Sequence, residues 1–287
     1  MSLKAVSGGT VWLNGRFLPL ESACVSVLDR GFLYGDGCFE TIRAQGGRPL
    51  FLRRHLERLY SSLSAFRIGL NSLPEWPGIL EALLHGNKLD RDVAAIKIIV
   101  TRGTASHMGM PVQEHPTVLV HARRYDLPTP DAYEDGIGLH IFDEGYTPPL
   151  AFHKSLNYLY CLAARQAALD NGAGDAVLLD KEGRVAETSS GSLLASTNGE
   201  WWTPQTNYCL HGITVREVSS ILAESGTGVE AREAAPCDLM AAETVWVLNS
   251  LMGIMPVARI GAHRIAHPRA SEAARCRNLL FERGLKA

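Results

Sequence analysis

The segment AFHKSLNYLYCLAARQAALDNG, residues 151–172, places a lysine directly before a predicted amphipathic helix. From residue 156 onward, apolar residues recur at the three- and four-residue spacing of one buried helix face. These residues are Leu156, Leu159, Ala163, Ala167 and Ala168. The pair Asn171-Gly172 then supplies a C-terminal stop. Lys154 lies just before this face. Considered alone, it is best explained as a lysine whose aliphatic side chain lies on apolar surface while its ammonium group reaches water.

The composition is that of an ordinary globular protein with one large or two medium domains. The chain has 287 residues, of which 46% are hydrophobic and 20% charged, and its formal net charge is −2. This charge balance gives no reason to expect a nucleic-acid partner. The sequence also lacks an apolar run of membrane-spanning length, so we expect no membrane partner.

The cysteine and histidine patterns bear on location and metal content. Six cysteines occur singly, with no Cys-x-x-Cys pair, which indicates free thiols in a reducing cytoplasm. The first residues, MSLKAVSGGTVW, lack the apolar core of a signal peptide. The segment HRIAH places His263 and His267 four residues apart without the glutamate of a zinc-protease helix. We therefore expect a cytoplasmic protein that holds no metal.

Strand and helix patterns are mixed along the chain without regular alternation, which argues against a doubly wound nucleotide-binding fold. TVWLNGRFLP is predicted as an Asn-Gly hairpin, and VAAIKIIVTRG and HPTVLVHARR as paired strands. The segment RYDLPTPDAYEDG carries two prolines and is predicted as a linker. We predict two mixed α/β domains, residues 1–124 and 135–287, joined by a linker over 125–134, with Lys154 in the second domain.

Four features of the predicted second domain fit one chemistry. They are the amine of Lys154, the strand-end carboxylate of Glu187, the helix entry at Gly212, and the polar pair Asn249-Ser250 after a strand. Each alone has an ordinary explanation: a solvent-facing strand residue, a plain helix entry or a turn. A lysine, a carboxylate and a helix N-terminus able to bind phosphate are together what pyridoxal phosphate requires.

The sequence resembles the class IV (fold type IV) pyridoxal-phosphate enzymes, which include branched-chain aminotransferases, D-amino-acid aminotransferases and aminodeoxychorismate lyases. The resemblance rests on the order and spacing of DRGFLYGDGCFETIR, HLERL, HKSLNYL, RVAETSSGSLLAS, HGIT and VLNSLMGIMPV, which span nearly the whole chain. It implies a two-domain mixed α/β fold, pyridoxal 5'-phosphate in the cleft between the domains, a small-molecule substrate, and a homodimer.

The resemblance also implies roles for individual residues. Lys154 is the Schiff-base lysine and proton shuttle, and Glu187 pairs with the pyridine nitrogen. The other residues that would bind the cofactor, mainly at its phosphate, are Arg58, Gly212, Ile213, Thr214, Asn249 and Ser250. One departure is Val215, where many members have an arginine directly after Gly-Ile-Thr.

Two segments distinguish the activities within the family. NSLMGIMPV resembles the corresponding segment of the lyases, and TRGTASHMGMP has His107 without the arginine two places earlier that D-amino-acid aminotransferases use. We therefore predict a 4-amino-4-deoxychorismate lyase that forms p-aminobenzoate and pyruvate for folate synthesis. A class IV aminotransferase acting on D-amino acids or branched-chain L-amino acids is the alternative, and a non-catalytic binding protein is a remote one. Because the lyase substrate carries two carboxylates, Arg43, Arg102 and His107 are candidate substrate residues.

Overall fold

The structure is a computed structural model that describes residues 8–70, 72–112, 115–146, 150–206, 209–266 and 268–287. His267 of the HRIAH pair lies outside these residues. The chain divides into two compact units. Unit 1 comprises Met1–Asp126, His153–Asn157 and Ala287, and unit 2 comprises Leu127–Phe152 and Tyr158–Lys286.

Unit 1 is built on a six-stranded antiparallel sheet in the order β2-β1-β6-β5-β3-β4. Its strands are β1 (Thr10–Leu13), β2 (Arg16–Pro19), β3 (Gly37–Gln45), β4 (Arg48–Pro49), β5 (Val93–Thr101) and β6 (Thr117–Arg124). Its helices are α1 (Arg30–Tyr34), α2 (Leu52–Ala65) and α3 (Trp76–Gly86), with a short 3-10 turn at Leu20–Ser22. The core includes Ile42, Ile96 and Val120 from the sheet and Leu80 from α3, each fully buried.

The turn between β1 and β2, at one edge of this sheet, follows from its two residue types. Asn14 and Gly15 between β1 and β2 both have positive φ, 47° and 90°, as a two-residue hairpin turn requires. The predicted hairpin is therefore confirmed, and so is the pairing of β5 with β6.

Unit 2 contains a nine-stranded mixed sheet in the order β12-β11-β10-β13-β14-β7-β8-β9, with β15 paired to β14. Its strands are β7 (Ile137–Phe142), β8 (Asp175–Leu179), β9 (Val185–Thr188), β10 (Ser192–Thr197), β11 (Glu200–Pro204), β12 (Val229–Arg232), β13 (Thr244–Asn249), β14 (Gly253–Ile260) and β15 (His263–Arg264). Its helices are α4 (Pro130–Asp135), α5 (Leu159–Asp170), α6 (Ile213–Glu224), α7 (Pro236–Ala241) and α8 (Ala270–Gly284).

The β11-β12, β14-β7 and β7-β8 pairs are parallel and the other pairs of this sheet are antiparallel. The main core of unit 2 includes Leu193, Val247 and Val257 from the strands and Leu239 from α7. The predicted mixed α/β fold is confirmed. Among the described residues, no helix is both long and apolar enough to cross a membrane.

Helix α5 differs from the prediction in its start and in its buried face. It begins at Leu159, which is 79% exposed, and its buried residues are Ala164 and Ala168. The expected face around Leu159 and Ala163 was therefore wrong, although Ala168 was correctly included. The cause lies upstream, because the chain around Ser155 forms an antiparallel bridge with Cys38 of β3. An extended chain cannot begin a helix until it leaves that strand.

Two segments lie in other parts of the structure than the predicted domain boundaries indicate. The segment with Lys154 packs in unit 1, because the Phe39 amide donates to the Lys154 carbonyl at 2.9 Å. Half of the predicted linker forms α4, whose first turn is capped by Thr129, with its hydroxyl accepting from the Ala132 amide at 3.2 Å. Helix α4 belongs to unit 2, where the Tyr133 hydroxyl donates to the Met252 carbonyl at 2.8 Å.

Candidate active site

Lys154 lies on a short extended segment held against the start of β3. The Phe39 amide donates to the Lys154 carbonyl at 2.9 Å, and the Leu156 amide donates to the Gly37 carbonyl at 3.0 Å. The side chain is half-buried, and its Nζ lies 4.6 Å from the centroid of the Phe39 ring. The backbone is thus held on both sides of the lysine, which fixes the point from which its side chain extends.

A second lysine, Lys97, also lies close to the Phe39 ring. Lys97 Nζ lies 4.5 Å from the Phe39 centroid, and Lys97 is directly opposite Thr41 across the β3-β5 pair. Because side chains two residues apart share a face of a strand, Phe39, Thr41, Arg43 and Lys97 lie on the same face. Burial and then the charge of Arg123 lower the pKa of Lys97. The sequence analysis missed Lys97, although a lysine within the apolar run AAIKIIV was a usable signal.

Arg58 is held in place by a buried carboxylate. Its Nε donates to Glu40 Oε1 at 2.7 Å and its Nη2 to Glu40 Oε2 at 2.8 Å. His55, three residues earlier on α2, places Nδ1 2.7 Å from Glu40 Oε2. Burial alone would raise the pKa of Glu40, but the hydrogen bonds from Arg58 and His55 lower it to about 2. Burial lowers the pKa of His55, which favours its neutral form. The positive charge that pairs with the Glu40 carboxylate is therefore mainly that of Arg58.

The three candidate substrate residues have different surroundings. Arg43 is 4% exposed, and its Nη2 donates to Gln45 Oε1 at 3.3 Å. Arg102 is fully buried and donates to the Asp36 carboxylate and to the carbonyls of Arg67, Pro111 and Phe66. These bonds account for Arg102 as a residue that stabilises unit 1, so its suggested substrate role has no support in this geometry. The His107 side chain is exposed, and its carbonyl accepts from Arg30 at 3.0 Å.

In unit 2, helix α6 begins with backbone amides that its N-cap side chain does not bind. Its N-cap is Gly212, and among the described residues no side chain caps the first turn. A Cβ on Gly212 would lie 2.3 Å from Ser192 Oγ, so only glycine permits this close approach. Ile213 and Thr214 follow in the first turn, 8% and 7% exposed. Amides and the helix dipole at such an uncapped start favour an anion such as a phosphate group.

The polar pair Asn249-Ser250 adjoins the same strand as this helix start. Ser192 of β10 is opposite Leu248 of β13, so the turn after Leu248 begins beside the residue that contacts Gly212. Asn249 Oδ1 accepts from the amides of Leu251 at 3.0 Å and Met252 at 2.9 Å. The Asn249 side chain therefore orders the turn, and Ser250, a half-buried residue, is the first residue of that turn.

Glu187 lies on β9, opposite Leu178 of β8, and is half-buried. The turn that follows is fixed by Asp175, a buried residue whose carboxylate accepts from the hydroxyls of Ser189 and Ser190. The Tyr158 hydroxyl donates to the Ser189 carbonyl at 2.9 Å. Burial raises the pKa of Tyr158, as do the negative charges of Cys161, Glu187 and Asp175. Glu187 therefore sits within electrostatic reach of a phenol that stays protonated.

Each unit, taken by itself, carries groups of a kind that pyridoxal phosphate requires. Unit 1 supplies an amine at Lys154 and a guanidinium at Arg58, oriented by Glu40. Unit 2 supplies the Glu187 carboxylate and the amides at the start of α6, where Gly212 offers no capping side chain. Their chemistry is that of a group able to form an imine, a carboxylate able to pair with a pyridine nitrogen, and donors suited to a phosphate. No cluster of three or more potential metal-ligating side chains is found within the described part of the chain.

Comparison with known proteins adds a family match over most of the chain. The model of the amino-transferase class IV family matches residues 37–260. A Methanocaldococcus jannaschii protein provisionally named branched-chain-amino-acid aminotransferase is 32% identical over 271 residues, 91% of each chain. The aminodeoxychorismate lyase of Vibrio harveyi is 30% identical over 257 residues, 88% of this chain and 91% of that one. A branched-chain amino acid aminotransferase solved with pyridoxamine 5'-phosphate, from the organism abbreviated T.th., gives a TM-score of 0.85 at 26% identity, covering 97% of this chain and 95% of that one.

Proposed function

The chain belongs to the amino-transferase class IV family and is a pyridoxal-phosphate enzyme, and from this premise we propose that it is a 4-amino-4-deoxychorismate lyase. The proposed reaction breaks the carbon–oxygen bond to the enolpyruvyl group and yields p-aminobenzoate and pyruvate. The products contain all the atoms of the substrate, so no oxidant or second substrate is needed. Formation of the aromatic ring drives the reaction, and p-aminobenzoate would serve folate synthesis.

The surroundings of the Phe39 ring are the observation that carries the substrate class of this proposal, a dicarboxylate, and the two distinguishing segments favour the lyase within that class. The Lys97 ammonium lies 4.5 Å from the Phe39 ring centroid, on a strand face that also holds Arg43, and the Lys154 Nζ lies 4.6 Å from the same centroid. A substrate with two carboxylates is stabilised by cations near the reacting amine. An environment built for an aliphatic amino-acid side chain would instead be lined by apolar groups.

The two distinguishing segments also support a lyase. The turn after Asn249 has the sequence Ser-Leu-Met-Gly, which resembles the lyases rather than the transaminases. Position 105, two residues before His107, is alanine, so the arginine that D-amino-acid aminotransferases carry there is absent. His107 itself has an exposed side chain.

The roles of the chain's own residues follow from their positions. When bound, pyridoxal phosphate withdraws electrons from the substrate carbon that carries the amino nitrogen. Lys154 would remove the proton from that carbon and later deliver a proton to the methylene of the departing enolpyruvyl group. Glu187 would hold a proton on the pyridine nitrogen. The phosphate ligands would be Arg58, Gly212, Ile213, Thr214 and Ser250, with Asn249 ordering the turn that carries Ser250.

An aminotransferase is the second candidate, and it is favoured by the 32% identity to the M. jannaschii protein and by the likeness to the solved branched-chain aminotransferase. In that case the same lysine and carboxylate would serve amino transfer from a D-amino acid or a branched-chain L-amino acid to a 2-oxo acid. Lys97 and Arg43 would then contact the second carboxylate of a substrate such as 2-oxoglutarate.

Association of two copies is the proposed oligomeric state. Helix α1 and the 107–112 loop are joined by Arg30, whose Nη1 and Nη2 donate to the carbonyls of His107 and Gly109. The surface that they form exposes large apolar side chains, namely Val27, Leu28, Phe32, Met108 and Val112. An apolar area of this kind is typical of a protein–protein interface. Light scattering of the purified protein tests the dimer.

Direct assay separates the candidate activities. The purified protein is offered 4-amino-4-deoxychorismate, and separately D-alanine or L-leucine with 2-oxoglutarate. The lyase proposal predicts p-aminobenzoate from the first mixture and no amino transfer in the others. Amino transfer without p-aminobenzoate would favour the second candidate, and no product from any mixture would favour a non-catalytic protein.

A further inference from the structure

We propose that Tyr133 and Arg277 are positioning residues that hold the turn Ser250–Met252 in its phosphate-binding geometry. The inference rests on the proposed role of Ser250 as a phosphate ligand. Every residue that it uses belongs to unit 2. Both side chains act through the backbone that carries Ser250, and neither is itself a proposed phosphate ligand.

The turn itself is a three-residue loop between β13 and β14. Asn249 and Gly253 face each other across the hairpin, and Gly253 has φ of 73°. A left-handed glycine at this position is the usual end of such a loop. On the strand side, Asn249 Oδ1 accepts from the Leu251 and Met252 amides. This contact fixes the shape of the turn, and the pairing of β13 with β10 and of β14 with β7 holds the two strands that lead into it.

Two side chains from outside the hairpin hold the end of the hairpin where the turn leaves the sheet. The Tyr133 hydroxyl, from α4, donates to the Met252 carbonyl at 2.8 Å. Arg277 Nη1, from α8, donates to the Ile254 carbonyl at 3.0 Å. The two carbonyls flank Gly253, so the hairpin is held at the residue where its backbone turns.

The two supporting side chains also contact each other. The guanidinium carbon of Arg277 lies 3.7 Å from the centroid of the Tyr133 ring, a close cation–π contact. A Cβ on Gly253 would lie 2.7 Å from Phe281 Cζ and 2.9 Å from Arg277 Cγ. Helix α8 therefore packs directly on the backbone of Gly253, and a shift of either Tyr133 or Arg277 moves the other and the turn with it.

The test compares two ligands that differ only in the phosphate. The full-length enzyme, freed of its cofactor, is titrated with pyridoxal 5'-phosphate and with pyridoxal by absorbance. Tyr133→Phe removes one hydrogen bond, so we expect roughly 3- to 10-fold weaker binding of pyridoxal 5'-phosphate. Binding of pyridoxal should not change, because it has no group for Ser250 to hold.

A matched control is available on another tyrosine of unit 2. The Tyr160 hydroxyl donates to the Glu144 carbonyl at 2.6 Å, so Tyr160→Phe removes the same kind of bond elsewhere. This variant should bind both ligands as the parent does. Arg277→Met should resemble Tyr133→Phe, and Arg277→Lys should retain part of the affinity. The double variant should lose less than the sum of the two single losses, since the two residues act as one support.

The inference is overturned if Tyr133→Phe binds pyridoxal 5'-phosphate as tightly as the parent. Equal weakening of both ligands would also overturn it, because that pattern indicates general loosening rather than loss of a phosphate contact. Either result would leave the proposed lyase reaction intact, since p-aminobenzoate formation by the parent is measured separately. If the parent forms no p-aminobenzoate but Tyr133→Phe weakens the binding of pyridoxal 5'-phosphate and not that of pyridoxal, only the lyase proposal is overturned.

Discussion

Glu40 and Arg58 form a two-bonded ion pair, with Nε 2.7 Å from Oε1 and Nη2 2.8 Å from Oε2. The Glu40 side chain is 1% exposed and that of Arg58 is 15% exposed. Two parallel bonds fix the plane of the guanidinium as well as its place. The residue expected to contact the cofactor's phosphate is thus oriented by a carboxylate from the neighbouring strand.

Glu40→Gln should destabilise the protein by about 3 kcal/mol, because it removes the buried carboxylate that balances the mostly buried charge of Arg58. Urea unfolding of the cofactor-free protein measures the change. Glu57 lies on the same helix as Arg58 and pairs with Arg53 at the exposed surface, so Glu57→Gln should change the free energy of unfolding by less than about 1 kcal/mol. Equal effects of the two substitutions would contradict the account.

The stabilisation by Glu40 should depend on pH in acid. The pKa of this carboxyl falls from 4.5 to about 2 in the folded protein. Because its folded pKa is depressed, its contribution is fully present above about pH 4.5 and is lost as the pH falls towards 2. The difference in unfolding free energy between the parent and Glu40→Gln should therefore shrink by about 2 kcal/mol between pH 7 and pH 3. A constant difference would show that Glu40 has an ordinary pKa.

Lys97→Met should weaken substrate binding while leaving the cofactor in place. Loss of a charged contact to a carboxylate predicts a fall in kcat/KM of roughly 10- to 100-fold, expressed mainly in KM. Steady-state kinetics and the absorbance of the bound cofactor measure the two properties. Lys181 is exposed and pairs with Glu182 at 3.7 Å, so Lys181→Met serves as the control. An unchanged KM in Lys97→Met would remove Lys97 from the substrate site.

Glu187→Gln should retain pyridoxal phosphate but slow turnover, because the pyridine nitrogen loses the group that keeps it protonated. We expect a fall in kcat of about 100-fold, at the lower end for a positioned proton-transfer group. Single-turnover kinetics with the loaded variant measure it. Turnover at the parent's rate would mean that a group other than Glu187 keeps the pyridine nitrogen protonated.

The sequence predicted those parts of the fold that depend on local signals. The Asn14-Gly15 turn needs two residues with positive φ, which only a few residue types tolerate. Helix α6 follows Gly212, as expected from the apolar spacing after that glycine. The strands β5 and β6 were visible as adjacent apolar segments with a loop between them.

The remaining features depend on contacts between distant parts of the chain. Lys154 is extended and not helical because residues near it pair with β3, more than a hundred positions earlier. Arg102 is a structural residue because Asp36 and three backbone carbonyls surround its guanidinium. Tyr133 stood in a predicted linker, and only the folded hairpin gives its hydroxyl a partner. No spacing rule within one segment identifies such partners.

The identity of the cofactor-bearing lysine is tested most directly by borohydride reduction of the loaded enzyme followed by peptide mapping. Two lysines are credible targets, because Lys154 and Lys97 both approach the Phe39 ring within 4.6 Å. The account predicts the reduced cofactor on the peptide that contains Lys154, and loss of that label together with a fall in turnover of at least about 10²-fold in Lys154→Ala. Label on the peptide that contains Lys97, or full turnover by Lys154→Ala, would contradict it.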